Sequence, residues 1–173
     1  MTAFKISSGN AIKLSIQDNV NTDYIISGRY KFRIQDPKEL SKYIFEDIDP
    51  TLSAKINQGD FIVAGRNFGC GSSREQAPVA LKAKGISAII AKSFARIFYR
   101  NAMNIGLPMI ECDTDSIDGG NALTLDFEKS KLFNNTKKIE IKINPISKTM
   151  KIFLENDGVI NYFKKYKGLK IEA

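Results

Sequence analysis

The middle of the chain alternates compact apolar runs with helical patterns. Three apolar runs, each bounded by glycine or polar residues, predict buried strands. They are DFIVAG (60–65), ISAIIA (86–91) and LPMIEC (107–112). The stretches between them, 72–85 and 93–106, have apolar residues at helical spacing and each closes on a glycine. This strand–helix–strand–helix–strand order predicts a parallel sheet with right-handed crossovers.

The N-terminal part predicts one strand, a long loop and two helices. AIKLSIQ (11–17) alternates apolar and polar residues, as a strand does. Residues 18–35 are polar and turn-prone with no clean period, which indicates an ordered surface loop. A helix is expected over 36–48, where Asp36 precedes a proline at the first helical position, and a short one over 50–56.

The C-terminal third has a different pattern. ALTLDF, KIEIKIN and KTMKIFLE alternate like half-solvated antiparallel strands, and NDGVINYFKKYKG predicts a closing helix. No linker or repeat interrupts the chain. We therefore predict an α/β fold with a parallel sheet core and appended antiparallel strands, forming a single domain over residues 1–173.

Composition narrows the possible chemistry. The 173 residues are 43% hydrophobic and 26% charged, as in ordinary globular proteins, and carry a net charge of +7 without a basic block rich in aromatic residues. No apolar run is long enough for a membrane span, and the N-terminus lacks the pattern of a signal peptide, so we expect a cytoplasmic protein. The chain has two cysteines and no histidine, which excludes an ordinary zinc site and the usual general base.

The stretch GRNFGCGSSREQAP (65–78) is the main candidate site, because it follows a buried strand and leads into a helix. Gly69 and Gly71 permit left-handed backbone that turns N–H groups inward. Ser72 or Ser73 fits the pattern of a helix N-cap, and Arg74 is expected in the first helical turn, where a bound anion would offset its unfavourable position. An anion-binding turn and a plain glycine-rich turn are both compatible with these residues.

Other chemistries fit this stretch less well. A mononucleotide P-loop lacks its Gly-Lys-Ser/Thr sequence, and a hydrolase elbow lacks its second glycine and its histidine. Cys70 has no histidine to activate it, so a packed structural cysteine is the favoured interpretation, and Cys112 is expected in the core. Metal ligands are not predicted in this chain.

The long loop near the N-terminus is a second candidate. Charged and polar residues crowd it, namely Thr22, Asp23, Arg29, Lys31 and Arg33. A solvated charge cluster would explain them, but a loop of about 18 residues without regular structure is uncommon unless it is functional. We therefore expect it to close over a ligand.

These motifs together resemble the small subunit of the 3-isopropylmalate dehydratase and homoaconitase branch of the aconitase family. The resemblance rests on the continuous stretch from Gly59 to Glu111, and is extended by DNVNTDYIISGRY and DPKELSKYIFEDIDP, so it covers roughly residues 10 to 115. It implies the swivelling β/β/α domain that closes over a large subunit carrying a [4Fe–4S] cluster. It also implies a hydro-lyase that moves a hydroxyl group between adjacent carbons of a hydroxy-di- or tricarboxylate.

The resemblance also implies roles for individual residues. Ser72 matches the serine that takes the proton from carbon. Ser73 and Arg74 match carboxylate binders, and Asp23, beside Thr22, matches the polar wall of the site. The cofactor, a [4Fe–4S] cluster, would belong to the partner subunit and not to this chain, so that the site is complete only in a heteromer.

Two departures from the family pattern bear on the substrate. Gln76 stands where the family has a histidine, which puts any proton-related role there in doubt. Arg33 lies in a Lys-Phe-Arg run like that of true aconitases, whose arginine binds a substrate carboxylate. The expected activity is that of a 3-isopropylmalate dehydratase of leucine biosynthesis. The alternatives are an aconitase- or homoaconitase-like hydratase, a dimethylmalate- or methylcitrate-type dehydratase, and a non-enzymatic anion- or RNA-binding relative.

Overall fold

Seven strands form one mixed sheet in the computed structural model, which describes residues 6–30, 33–72 and 74–168. The strands are β1 Ile6–Lys13, β2 Phe61–Val63, β3 Ala88–Ala91, β4 Met109–Glu111, β5 Ala122–Asp126, β6 Lys131–Asn134 and β7 Ile139–Ile141. Their order across the sheet is β4-β3-β2-β1-β5-β6-β7. From β4 to β1 all pairs are parallel, and from β1 to β7 all are antiparallel.

Among the described residues, seven short helices connect and cover the strands. They are α1 Thr22–Ile25, α2 Pro37–Leu40, α3 Leu52–Lys55, α4 Gln76–Ala83, α5 Arg96–Asn104, α6 Lys148–Glu155 and α7 Val159–Tyr166, with a 3₁₀ turn at Ser41–Tyr43. As predicted, Asp36 caps α2, with its carboxylate accepting a hydrogen bond from the Glu39 N–H at 2.8 Å, but the helix expected over 36–48 is shorter and ends in the 3₁₀ turn. Within the described ranges, no helix has the length and apolar character needed to cross a membrane.

Two hydrophobic clusters cover the two faces of the parallel strands. Ile62 and Ile89 pack with the helices, including Leu81 of α4 and Phe98 of α5. The neighbouring residues of β2 alternate to the other face, where they pack with residues of the antiparallel strands, among them Leu125. Because both faces are buried, β2 and β3 are almost uninterrupted hydrophobic sequences, and this is why the sequence predicts them well.

The predicted fold class is confirmed, and two local predictions in the C-terminal third are corrected. KTMKIFLE forms helix α6 and not a strand, because Ser147 caps it and Phe153 and Leu154 are buried on one helical face. Strand β6 was not predicted. Its alternation is hidden because one of its two buried positions is the polar Asn134, which donates to the Asn121 side chain at 2.7 Å.

Candidate functional site

Three loops meet at the carboxyl ends of neighbouring parallel strands, which is the usual ligand position in such sheets. The β1 loop is residues 14–36, the β2 loop is residues 64–75 and the β3 loop is residues 92–95. The central β2 loop carries the glycines, the serine and the arginine that the sequence singles out. The strand order places it between the other two loops.

Short backbone bridges join the β2 loop to both neighbours. Asn21 in the β1 loop forms a bridge with Cys70, and the Thr22 N–H donates to the Cys70 carbonyl at 2.9 Å. On the other side Phe68 bridges to Phe94, a residue of the β3 loop. The three loops are therefore one hydrogen-bonded layer, and each loop holds its neighbour in place.

Gly69 and Gly71 are required by the path of the β2 loop. Both have left-handed backbone, with φ of +78° and +87°. A Cβ on Gly69 would lie 2.2 Å from Cγ of Phe98, so the loop could not pack against α5 with any other residue. These glycines let the chain turn back directly over the N-terminal part of α5.

Arg74 anchors the β2 loop to the β1 loop. Its side chain is only 15% exposed and forms an ion pair with Asp23. Its Nη1 also donates to the carbonyl of Ile26 at 3.1 Å. The guanidinium lies next to Gly28, where a Cβ would be in ordinary van der Waals contact with Nη2 at 3.5 Å. The buried Nε has no hydrogen-bond partner among the described residues, so the guanidinium keeps unused donor capacity.

Ser72 is held by its backbone, and its side chain is exposed. The Ser72 carbonyl accepts a hydrogen bond from the Thr22 hydroxyl at 2.9 Å and another from the Arg74 N–H at 2.8 Å. The exposed hydroxyl of Ser72 is thus presented from a fixed turn, one residue after Gly71. This is an arrangement in which a serine can meet a ligand without the loop having to reorganise.

A cavity of about 300 Å³ lies between the β2 loop and helix α5. One side is formed by the predicted loop residues, and the other by the start of α5 and the residue before it. The lining residues are Thr22, Gly69, Gly71, Ser72, Arg74, Ala95, Arg96, Ile97, Phe98 and Asn101. The cavity combines two guanidinium groups, a hydroxyl-bearing loop and an apolar wall. These features suit a small anion with an apolar part.

The predicted site residues do not all lie together. Asp23 does not line the cavity but forms an ion pair with Arg74, which does. Arg33 is exposed and is not among the residues that line the cavity. Ser73 and Lys31 lie outside the described residues. Arg29 does not line the cavity and pairs instead with Asp47 and Glu46.

The predicted start of the helix after the β2 loop is corrected. Helix α4 begins at Gln76, and the capping position is occupied by Glu75 without a side-chain hydrogen bond. Ser72 is therefore not a helix cap, and Arg74 precedes the first turn instead of lying in it. The predicted conflict between Arg74 and the helix dipole does not arise, and its position is explained by Asp23 instead.

Sequence reasoning missed the four lining residues on α5, namely Arg96, Ile97, Phe98 and Asn101. They lie in a segment that the spacing of its apolar residues already explains as a packed helix, so nothing in it suggested a binding site. The available signal was positional: this segment follows strand β3, just as the candidate loop follows β2. Residues after neighbouring parallel strands meet at the same edge of the sheet.

The cysteines give no sign of reactive or metal-binding chemistry. Cys70 and Cys112 are both free and half-buried. Burial, with a smaller contribution from the Asp113 carboxylate, raises the pKa of the Cys112 thiol to about 12. The described residues contain no group of three or more Cys, Asp or Glu side chains arranged to hold a metal ion. Their donor set therefore does not fit an iron–sulfur cluster.

Comparison with known proteins identifies relatives of similar length. The family model of the aconitase C-terminal domain matches residues 8–114. The 3-isopropylmalate dehydratase small subunit 2 of Archaeoglobus fulgidus is 53% identical over 89% of this chain and 93% of its own length. The 3-isopropylmalate dehydratase small subunit of Clostridioides difficile is 45% identical over 94% of this chain and 99% of its own length.

A solved structure extends the similarity to three dimensions. The crystal structure of a 3-isopropylmalate dehydratase chain from Methanocaldococcus jannaschii is 46% identical and superimposes with a TM-score of 0.88. The match covers 94% of this chain and 95% of that one, so it includes the antiparallel strands beyond the family model. The resemblance inferred from the motifs is confirmed. This chain belongs to the aconitase C-terminal domain family, in the branch that contains the small subunits of 3-isopropylmalate dehydratases.

Proposed function

We propose that this chain is the small subunit of a two-subunit hydro-lyase, a 3-isopropylmalate dehydratase of leucine biosynthesis. It would act in the cytoplasm as a single swivelling domain over a large subunit. The observation that carries the proposal is the similarity to small subunits of that name over nearly their whole length. The cavity supports it, because two guanidinium groups and an apolar wall match a branched dicarboxylate.

Ser72 is the residue we assign to proton transfer. It would take the proton from the substrate carbon during dehydration and return it during rehydration. A free serine hydroxyl is a poor base, so its alkoxide must be stabilised by nearby positive charge and N–H groups. Arg74 is two residues away and lines the same cavity. The hydrogen bond to the Ser72 carbonyl holds the backbone from which the hydroxyl projects.

Arg74 is the residue we assign to a substrate carboxylate, with Asp23 holding it in place. The ion pair and the Ile26 carbonyl use Nη1 of the guanidinium. Its remaining donors are available for a carboxylate, which arginine binds well in bidentate geometry. Thr22 supports the same turn from below through its bond to Ser72. Ser73, outside the described residues, is proposed as a second carboxylate contact.

The [4Fe–4S] cluster is assigned to the large subunit, because the described residues of this chain do not offer a ligand set for it. When bound there, it supplies a Lewis acid for the departing hydroxyl group. This assignment makes the isolated chain inactive. It also accounts for the absence of histidine from the sequence.

An aconitase- or homoaconitase-like substrate is the second candidate, and it rests on Arg33. A third carboxylate needs a cation, whereas an isopropyl group needs an apolar surface. Because Arg33 does not line the cavity, the cavity geometry favours the isopropyl substrate. The variant Arg33→Val separates the two, since it would weaken a tricarboxylate far more than 3-isopropylmalate if Arg33 contacts the substrate.

Reconstitution with the cognate large subunit tests the proposal. Purified small and large subunits would be combined after cluster loading and assayed with 3-isopropylmalate, citrate, homocitrate and methyl-substituted malates. We expect turnover of 3-isopropylmalate with the highest kcat/KM, and none by either subunit alone. Preference for citrate or homocitrate would overturn the substrate, and assembly without turnover of any of these acids would favour a binding module.

A further inference from the structure

We propose that Arg96 and Ile97, at the start of α5, are substrate-recognition residues that divide the substrate between them. Arg96 binds the carboxylate that Arg74 does not, and Ile97 contacts the alkyl branch. The inference rests on the proposed function and extends it from the β2 loop to the opposite wall of the same cavity. The observation behind it is that both side chains line the cavity that contains Ser72.

Arg96 is a cation without a partner within the described part of the chain. It is exposed and forms no ion pair there, whereas Arg74 on the facing wall is neutralised by Asp23. The unbalanced charge of the cavity therefore comes from Arg96. A dicarboxylate brings two negative charges, so one guanidinium alone would leave its second carboxylate unmatched.

The position of Arg96 on its helix points the same way. It is the first residue of α5, a nine-residue helix, and no side-chain hydrogen bond caps that end. A cation there is unfavourable against the helix dipole, and the first-turn N–H groups lack acceptors within the helix. An anion bound between Arg96 and the helix start would relieve both costs. The cavity is lined by the same first turn.

Ile97 supplies an apolar surface that this chain leaves open. Its side chain is 54% exposed, whereas the neighbouring Phe98 and Ala102 on the same helix are buried. Ile97 and Asn101 are four residues apart and so lie on one face of the helix, the face that lines the cavity. An isopropyl group placed against Ile97 would bury apolar surface on both partners. A cavity of about 300 Å³ suits a substrate of this size.

The experiment compares four variants in the reconstituted complex. Arg96→Gln and Ile97→Ala are the tests. Arg100→Gln is the control for the first, because Arg100 is exposed on the same helix and, like Arg96, lines the neighbouring cavity of about 430 Å³, but it does not line the cavity that contains Ser72. Ile160→Ala is the control for the second, because Ile160 on α7 is 51% exposed and far from these loops in sequence. The readouts are kcat/KM for 3-isopropylmalate and for a methyl-substituted malate, and the affinity of the two subunits.

The expected results separate the two roles. Arg96→Gln should lower kcat/KM about 10- to 100-fold for both substrates, as expected for a lost charged hydrogen bond. Ile97→Ala should lower it about tenfold for 3-isopropylmalate and little for the methyl-substituted acid. The affinity between the two subunits should stay within about twofold of that of the unmodified pair. Both control variants should match the unmodified pair in kcat/KM and in subunit affinity.

Three outcomes would overturn the inference, and they are distinguishable. If the unmodified subunits turn over 3-isopropylmalate normally and the two test variants behave like their controls, neither Arg96 nor Ile97 recognises the substrate. A loss of activity that follows weakened subunit affinity would show that this face docks the large subunit instead. If the unmodified pair does not act on 3-isopropylmalate, the proposed function fails and the inference falls with it.

Discussion

The parallel half of the sheet and its antiparallel half share strand β1 but use their loops differently. On the parallel side, strands β1, β2 and β3 end at one edge, and three loops meet there around a cavity. On the antiparallel side, successive strands are joined by tight turns with left-handed residues at Ser130 and Lys138. Parallel strands need long crossovers, so they leave irregular loops at the edge, whereas hairpins leave only turns.

This difference assigns different tasks to the two halves. The family model ends at residue 114, close to the end of the parallel half, so the sequence features it describes coincide with the site-bearing part. The antiparallel strands contribute Leu123, Leu125 and Leu132 to the second hydrophobic cluster. We therefore expect changes in the first half to affect turnover and changes in the second to affect stability.

Replacing Ser72 should change turnover more than any other substitution considered for either half. Ser72→Ala should lower kcat of the reconstituted enzyme about 1,000-fold, since loss of an acid–base group costs about 10²- to 10⁴-fold. Assembly and stability should be unchanged, because the turn is held by the Ser72 carbonyl and not by its hydroxyl. Steady-state kinetics and urea unfolding measure the two. Ser15→Ala, an exposed serine of the β1 loop outside the cavity, is the control, and a near-normal kcat for Ser72→Ala would remove the base assignment.

The matching change in the antiparallel half should act on stability alone. Leu132 is fully buried in the second cluster, so Leu132→Ala should lower the free energy of unfolding by about 3 kcal/mol. The kcat of the folded complex should not change. Lys131→Ala, at the exposed neighbouring position, should be nearly neutral in urea unfolding. A lower kcat at full assembly would contradict the division between the halves.

The same division explains which parts of the fold could be predicted from the sequence. Strands β2 and β3 are buried on both faces, so their hydrophobic runs leave little ambiguity. The C-terminal segment KTMKIFLE alternates for a few residues, and such short runs do not distinguish a strand from a helix. A tertiary contact favours the helix here: Phe153 packs against Tyr162 of α7, which the local sequence pattern does not reveal.

The part of the candidate site that could be predicted is the part with an unusual combination of residue types. Glycines next to serines and an arginine identified the β2 loop, because few structures require that combination. Arg29 was grouped with the site because its charge was visible but its partners, Glu46 and Asp47, were not. Arg96 was missed because it lies in a predicted helix, and the helical pattern gave no reason to expect a binding residue there. The cation at a helix start is Arg96, whereas the sequence predicts Arg74 in such a position.

Two glycines with similar backbone conformation, one in each half, differ in how tightly their surroundings pack. Gly69 in the β2 loop and Gly120, just before β5, have φ of +78° and +82°. A Cβ on Gly69 would collide with Phe98, whereas a Cβ on Gly120 would meet nothing within 4 Å. Gly120→Ala should therefore lower the free energy of unfolding by about 1 kcal/mol, for the left-handed backbone alone. Gly69→Ala should cost about 2 kcal/mol more, because of overpacking. Equal costs in urea unfolding would mean that the β2 loop does not pack tightly on α5.

Removing one ion pair from each half should change the free energy of unfolding least. Lys131 and Glu140 pair across β6 and β7 at 3.1 Å with side chains 45% and 43% exposed, so Glu140→Gln should cost less than about 0.5 kcal/mol. Asp23→Asn should cost about 1 to 2 kcal/mol, because it leaves the guanidinium of Arg74 mostly buried and without its carboxylate. Raising the salt concentration to about 1 M should abolish the first effect and only reduce the second, since Asp23 is itself half exposed. If both effects vanish together, Arg74 is as well solvated as a surface lysine. Its fixed orientation, on which its proposed role as carboxylate binder depends, would then have no support from the ion pair.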